Sequence, residues 1–205
     1  MRSKWIPAVA GLALALAAPA GAVASEGLSG SCPPAAYEQP FTPWLDLADY
    51  VPVPNGGFET GAAGWSLTGE ATVVSENESF YVGGTRDSRS LSLPPGASAT
   101  TSSVCVDVRS PHLRFFVRRR GSLLSTLRVE VLYTDPLGQP RALTVALLTG
   151  SSSWQPTPQI PLLVNLTALP LVTDGTASFA FRFTPLGSSS EWTIDDVYVD
   201  PFKGE

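Results

Sequence analysis

Carboxylates gathered at the two ends of one segment are the residues of this sequence best placed to do chemistry. Glu59 closes the stretch Asn55-Gly56-Gly57-Phe58-Glu59, and Gly64-Trp65 follows a short interval on. Asp195 and Asp196 stand side by side in Trp192-Thr193-Ile194-Asp195-Asp196-Val197, within an otherwise apolar stretch. Carboxylates withdrawn from water need a cation or hydrogen-bond donors. A strand alternates its side chains, so the two aspartates are expected to face opposite ways. Val197 and Val199 read as core-facing, which puts Asp195 on their side and Asp196 outward with Ile194 and Tyr198. Asp195 and Glu59, with carbonyls near Gly57, would then suit a hard cation. Pairing with Arg86 or Arg89, or hydrogen bonding to backbone amides, would serve as well.

A second constellation is basic and aromatic. In Leu113-Arg114-Phe115-Phe116-Val117-Arg118 the alternation sets Leu113, Phe115 and Val117 on one side and Arg114, Phe116 and Arg118 on the other. Arg128 and Glu130 point away from the core in their segment, and Arg182 does so in Phe181-Arg182-Phe183. If these segments share a sheet, one face carries Arg114, Phe116, Arg118, Arg128, Glu130 and Arg182. Guanidinium forks beside an aromatic could hold sugar hydroxyls or a uronate carboxylate. The plainer reading is a solvated face with cross-strand Arg–Glu pairs. Tyr81, beside Phe80, is a further candidate contact. Trp65, Trp154 and Trp192 read as core plugs.

Signs of catalysis are weak. His112 is the only histidine. There is no Gly-x-Ser-x-Gly elbow and no His/Cys cluster for zinc. Glu76 and Glu78, or Asp195 and Asp196, could be paired acids, but residues so close in sequence seldom flank a bond from opposite sides.

The elements that position these residues follow from the whole chain of 205 residues. Arg2 and Lys4 precede an apolar run from Ile6 to Ala18, and Ala22-Val23-Ala24 fits a cleavage site. Residues 1–24 therefore read as a secretory signal peptide, with the mature chain starting at Ser25, secreted and extracellular. The 13 Lys and Arg fall to 11 without Arg2 and Lys4, against 18 Asp and Glu, a formal charge of −7. Such a balance disfavours nucleic acid and anionic lipid, and no later stretch predicts membrane insertion. Cys32 and Cys105 are the only cysteines. In an exported chain they are expected to form a disulfide worth about 4 kcal/mol in the chain-entropy model; two buried thiols are the alternative.

Residues 25–54 read as an arm tethered by that disulfide. Within it Thr42-Pro43-Trp44 looks like a helix start, with Thr42 as cap, leading into a turn that buries Trp44 and Leu47. Strands are expected at 65–67, 71–75, 90–93, 99–108, 113–118, 126–133, 141–148, 154–157, 177–184 and 192–199. Asp135-Pro136-Leu137-Gly138 marks a hairpin turn. Leu162 to Leu169, between prolines, reads as a helical turn. Many short strands and almost no helical periodicity predict an all-β sandwich over 55–201, with 202–205 a tail.

Taken together, Asn55-Gly56-Gly57-Phe58-Glu59 with Gly64-Trp65, Ser90-Leu91-Ser92-Leu93, Ser153-Trp154-Gln155 and Ile194-Asp195-Asp196-Val197 resemble the galactose-binding-like jelly rolls. The pattern is similar to carbohydrate-binding modules of families four, nine and twenty-two. With its Pro43-Trp44-Leu45-Asp46 arm, the whole chain also resembles small secreted bacterial proteins. The resemblance implies a jelly-roll β-sandwich and a structural calcium ion. Its ligands would match Glu59, a carbonyl near Gly57, Asp195 or Asp196, and Asp87. It also implies a non-catalytic role, with a glycan or cell-envelope polysaccharide as partner. A structural or protein-interaction role in the envelope is the alternative, and an unrecognised hydrolase a third reading.

Overall fold

The computed structural model describes residues 36–107, 112–135, 137–162 and 176–200. The expected signal peptide, Cys32, most of 162–169 and the tail lie outside them. Thirteen strands occur among the described residues: β1 (Val51–Pro52), β2 (Trp65–Thr68), β3 (Thr72–Val74), β4 (Ser90–Leu93), β5 (Ser98–Thr101), β6 (Val104–Asp107), β7 (His112–Gly121), β8 (Thr126–Thr134), β9 (Pro140–Leu148), β10 (Gln155–Pro156), β11 (Ile160–Pro161), β12 (Thr176–Leu186) and β13 (Ser190–Val199). They build two antiparallel sheets packed as a jelly-roll sandwich. The first runs β10-β7-β13-β4-β3, with β1 also on β13 and β11 also on β7. The second runs β2-β5-β12-β8-β9, with β6 also on β12.

Period-two patterning explains the packing. Leu113, Phe115 and Val117 of β7 meet Phe179, Phe181 and Phe183 of β12 in one core, with Leu127, Val129 and Val131 of β8. Trp65 and Trp192 belong to this core, as their bulk suggests. Phe115 and Phe183 meet edge to face, ring centroids 5.1 Å apart. The 135–138 turn forms as expected: Asp135 Oδ1 accepts from Leu137 and Gln139 amides, and Gly138 takes a positive φ.

Three expectations need correction. The single strand over 99–108 is two, β5 and β6, because the ladder with β12 is interrupted at Ser102–Ser103 and resumes with its register shifted by one residue. The helix start is only a 3₁₀ turn, Thr42–Trp44, and Phe41 rather than Thr42 is its cap. Leu45 adopts a left-handed conformation that ends it, leaving Leu47 exposed. The basic-aromatic face does not exist as one surface. Arg114, Phe116 and Arg118 lie on β7 in the first sheet, whereas Arg128, Glu130 and Arg182 lie on β8 and β12 in the second. Alternation assigns a side within a strand but says nothing of which sheet the strand joins.

The arm forms a third layer. Phe41 and Tyr50 are fully buried against Phe116, Tyr198 and Trp154 on the outward face of the first sheet. Phe41 stacks on Phe116 with centroids 5.6 Å apart, and the Arg114 guanidinium lies 4.1 Å from the Phe41 ring centroid. Asp46 of the arm pairs with Arg114 and accepts from Tyr50 Oη at 2.7 Å.

Candidate functional site

The Asn55–Glu59 stretch is held by its own side chains. Asn55, at positive φ, donates to the Gly61 and Ala63 carbonyls and accepts from Thr60. Phe58, also at positive φ, drops into the core. The two glycines are needed for closeness rather than for the turn, since neither has a positive φ. A Cβ on Gly56 would stand 2.6 Å from the Val197 carbonyl oxygen, and one on Gly57 would stand 2.8 Å from Asp196 Oδ1.

Asp195 does not lie on the core side as expected. The register of β13 on β7 slips between Asp195 and Tyr198, and Asp196 takes a φ of 46°. Trp192 and Ile194 before the slip, and Val197 and Val199 after it, all face the core. Asp195 therefore lies on the outward side, paired with Phe116 and covered by the segment that follows Glu76. Its Oδ2 accepts from the Glu78 amide and its Oδ1 from the Asp196 amide, each at 2.9 Å. A bulge breaks the alternation on which the expectation rested.

Asp196 instead reaches the cleft at the front of the Asn55–Glu59 stretch. This cleft, about 350 Å³, is lined by Gly57, Glu59, Gly83, Asp87 and Asp196 among others. A Cβ on Gly83 would meet Asp87 Oδ2 at 2.5 Å and Asp196 Oδ1 at 2.8 Å. Burial, followed by the charges of Glu78 and Asp87, pushes the Asp196 carboxyl up. Burial and the Asp196 charge do the same to Asp195. Burial and Glu59 raise Asp87. Asp196 Oδ2 is buried with no hydrogen-bond partner among the described residues. Glu59 is better served, its Oε1 accepting from the Ser88 and Arg89 amides at 2.8 Å. Neither Arg86 nor Arg89 is ion-paired with Asp195 or Asp196 among the described residues.

These features suit a cation: an orphaned buried carboxylate oxygen, like charges that raise one another, and two glycines that let the carboxylates of Asp87 and Asp196 come close to the main chain. Of the expected ligand set, Gly57, Glu59, Asp87 and Asp196 share the cleft, while Asp195 lies outside its lining. No three acidic, His or Cys side chains among the described residues are arranged to hold a metal by themselves. Main-chain carbonyls would have to complete the shell.

The paired acids 76 and 78 serve the fold. Glu76 receives a two-pronged contact from Arg118, Nη2 to Oε2 at 2.6 Å, which holds its carboxyl below the usual range. Glu78 is fully buried and accepts from the Phe80 and Val82 amides. Arg118 also lies 4.9 Å from the Trp154 ring centroid. Arg114 and Phe116 are thus buried beneath the arm, and Arg118 is buried against Glu76 and Trp154. Tyr81 is half exposed in the loop that follows, at positive φ.

The outward side of the second sheet is different. Arg182 Nε donates to Glu130 Oε2 at 2.8 Å, and Arg128 Nε lies 3.3 Å from the same oxygen. The Arg182 hydrogen bond holds the Glu130 carboxyl below its usual range. Arg182, alone of this trio, lines a hollow of about 410 Å³. Its floor is the cross-strand row Ala180–Leu132–Ala142, and Ser178 and Thr134 stand at its rim. Sequence reasoning missed this hollow, although small residues alternating with Arg182 on one strand were its signal.

No protein-family model and no curated protein matches the chain. Solved structures do. The CBM22-1–GH10 modules of Clostridium thermocellum endo-1,4-β-D-xylanase 10B, complexed with xylohexaose, match with a TM-score of 0.55 and 15% identity, over 76% of this chain and 29% of that one. This chain thus spans under a third of that protein. The CBM22-1 xylan-binding domain of Paenibacillus barcinonensis Xyn10C matches with a TM-score of 0.50 and 15% identity, over 73% of this chain and 94% of that one. The tandem CBM22-1–CBM22-2 domain of the same xylanase gives 0.51 and 15%, over 77% and 46%. At such identity the likeness is one of fold. That fold is a jelly-roll β-sandwich.

Proposed function

We propose that this chain is a secreted, non-catalytic module that binds carbohydrate on the outward side of its second sheet. One observation carries the reading. The arm and the segment after Glu76 together cover the outward face of the first sheet around Phe116, Arg118 and Asp195, whereas the second sheet presents a hollow lined by hydroxyls and arginine. Polar groups around a shallow apolar floor suit a sugar ring, whose faces are apolar and whose edges are hydroxyls. The xylan-binding solved structures that share the fold support this ligand class. Glycan-array binding by the exported protein tests it. Retention of a defined set of glycans, lost in Ala180→Trp, which fills the floor, is the expected result. No retained glycan would overturn the proposal.

We also propose that the 57–59/83–87/196 cleft takes a structural calcium ion. Glu59, Asp87, Asp196 and a carbonyl near Gly57 would hold it, and it would neutralise buried charge. The export signal in 1–24 and the Cys32–Cys105 disulfide belong to the same reading. A role in protein interaction is the second reading, favoured by the exposed Leu123 and Leu124 at the β7–β8 turn. An array without hits, with a defined envelope protein bound instead, would favour it.

A further inference from the structure

Resting on that carbohydrate-binding reading, we propose that the second sheet's outward face selects an acidic glycan, with Arg128 and Arg182 gripping a uronate carboxylate.

Arg128, Glu130 and Arg182 lie on one face, because Arg182 pairs directly with Glu130 and Arg128 sits two residues before it on β8. Two guanidinium groups therefore share one carboxylate, and the trio keeps one positive charge. Both arginines reach the same oxygen, Oε2, through Nε. Arg182 forms the hydrogen bond, while Arg128 Nε is buried without a hydrogen-bond partner among the described residues. Both side chains remain about one-third exposed, so their outer ends are within reach of a ligand.

Geometry supplies the rest of the ligand. Moving along the strands from the Arg182–Glu130–Thr144 row, the next row on the same face is Ala180–Leu132–Ala142. Beyond it stand Ser178 and Thr134, both exposed. Four residues of strand cover about 13 Å. Arg182 lines the hollow and Arg128 stands one row farther out, past Glu130, so a cationic end, a shallow apolar floor and hydroxyls at the far end match a sugar ring carrying a carboxylate. A planar carboxylate suits the guanidinium fork better than a sulfate, which a point charge serves as well. The chain as a whole is acidic, formally −5, so diffuse attraction for polyanions is absent and the grip must be local.

Binding of the full exported chain to polygalacturonate, to its methyl ester, to the carboxyl-reduced polymer and to a sulfated galactan tests the proposal. The acid form should bind at least about tenfold tighter than the ester or the reduced polymer, as expected for charge-assisted hydrogen bonds. Arg128→Ala should lose about tenfold, and so should Arg182→Lys, which keeps a counter-charge for Glu130. Glu130→Gln should bind more tightly, a gain that a purely structural trio would not give. Thermal melts report whether each variant folds. Equal binding of acid and ester overturns the acidic selection while leaving carbohydrate binding intact. Sulfated galactan bound as tightly as the uronate overturns the carboxylate assignment. Failure to bind any polymer, together with a silent array, overturns both.

Discussion

Gly57 and Asp196 leave each other no spare room: a methyl group on the glycine would sit 2.8 Å from the aspartate's Oδ1. At neighbouring Gly56 the obstacle is main chain, with the Val197 carbonyl oxygen at 2.6 Å and that of Val53 at 3.0 Å. Those groups belong to the ladder that ties the arm to β13, where the Val53 amide donates to Val197 O at 2.8 Å. Gly56→Ala should therefore cost about 3 kcal/mol or more, and Gly57→Ala about 1 kcal/mol. Denaturant unfolding of both variants checks the order. Equal losses would contradict it.

The calcium proposal has a sharp mutational signature. An ion bound only by the folded state adds stability that grows with its concentration. Melting temperature should fall in excess chelator and recover with calcium. Asp196→Asn should remove that response, and Asp195→Asn, outside the cleft, should preserve it. A response that depends on Asp195 instead would place the ion elsewhere.

Without calcium, stability should peak in mildly acidic solution. Asp195, Asp196 and Glu78 are raised, chiefly by burial. Raised carboxyls contribute stability that is full below their unfolded values and lost as pH climbs through the folded ones. Glu76 and Glu130 are lowered by their arginines. Burial pushes Asp46 up, but hydrogen bonds from Tyr50, Ala48, Arg114 and Gln159 more than reverse it. This second set contributes above the unfolded values and is lost as pH falls through the lowered ones. In chelator the melting temperature should rise from neutrality toward about pH 5 and drop below about pH 4. A steady decline from neutrality downward would mean that the buried aspartates do not titrate as described.

Strand alternation alone puts Arg114 on a ligand face, where its loss would leave the fold untouched. In the structure its side chain is 8% exposed and that of its partner Asp46 9%. Removing one member of a buried pair strands the other, which costs about 3–5 kcal/mol. Arg114→Ala should be destabilised on that scale, in contrast to changes of about 0.5 kcal/mol at exposed positions. Chemical denaturation decides between the two.

Mass spectrometry of the unreduced exported protein should find the Cys32 and Cys105 peptides linked. Two alkylatable thiols in the native protein would rule the bond out.

Much of this architecture was legible because period-two patterning survives in long strands. Leu113, Phe115 and Val117 announced the core side of β7, and Phe179, Phe181 and Phe183 that of β12. What stayed hidden depended on distant partners. The sequence of β13 shows no sign that its register slips after Asp195, which takes Asp195 off the core side and leaves Asp196 to line the cleft. Arg114 and Arg182 carry the same local signature yet belong to different sheets. The hydrophobic residues of the arm, Phe41 and Tyr50, gave no hint that they would roof the first sheet. The hollow beside Arg182 arises only when Ala180, Leu132 and Ala142 meet across three strands.

The strand order has a temporal consequence. β13 joins β7 to β4, and β12 joins β5 to β8, so the two strands latest in sequence form the middle of both sheets. A nascent chain that has not yet reached them holds only disconnected hairpins and edges. Neither half of the sandwich can close while synthesis is under way, and the polypeptide stays threadable until its last strands arrive.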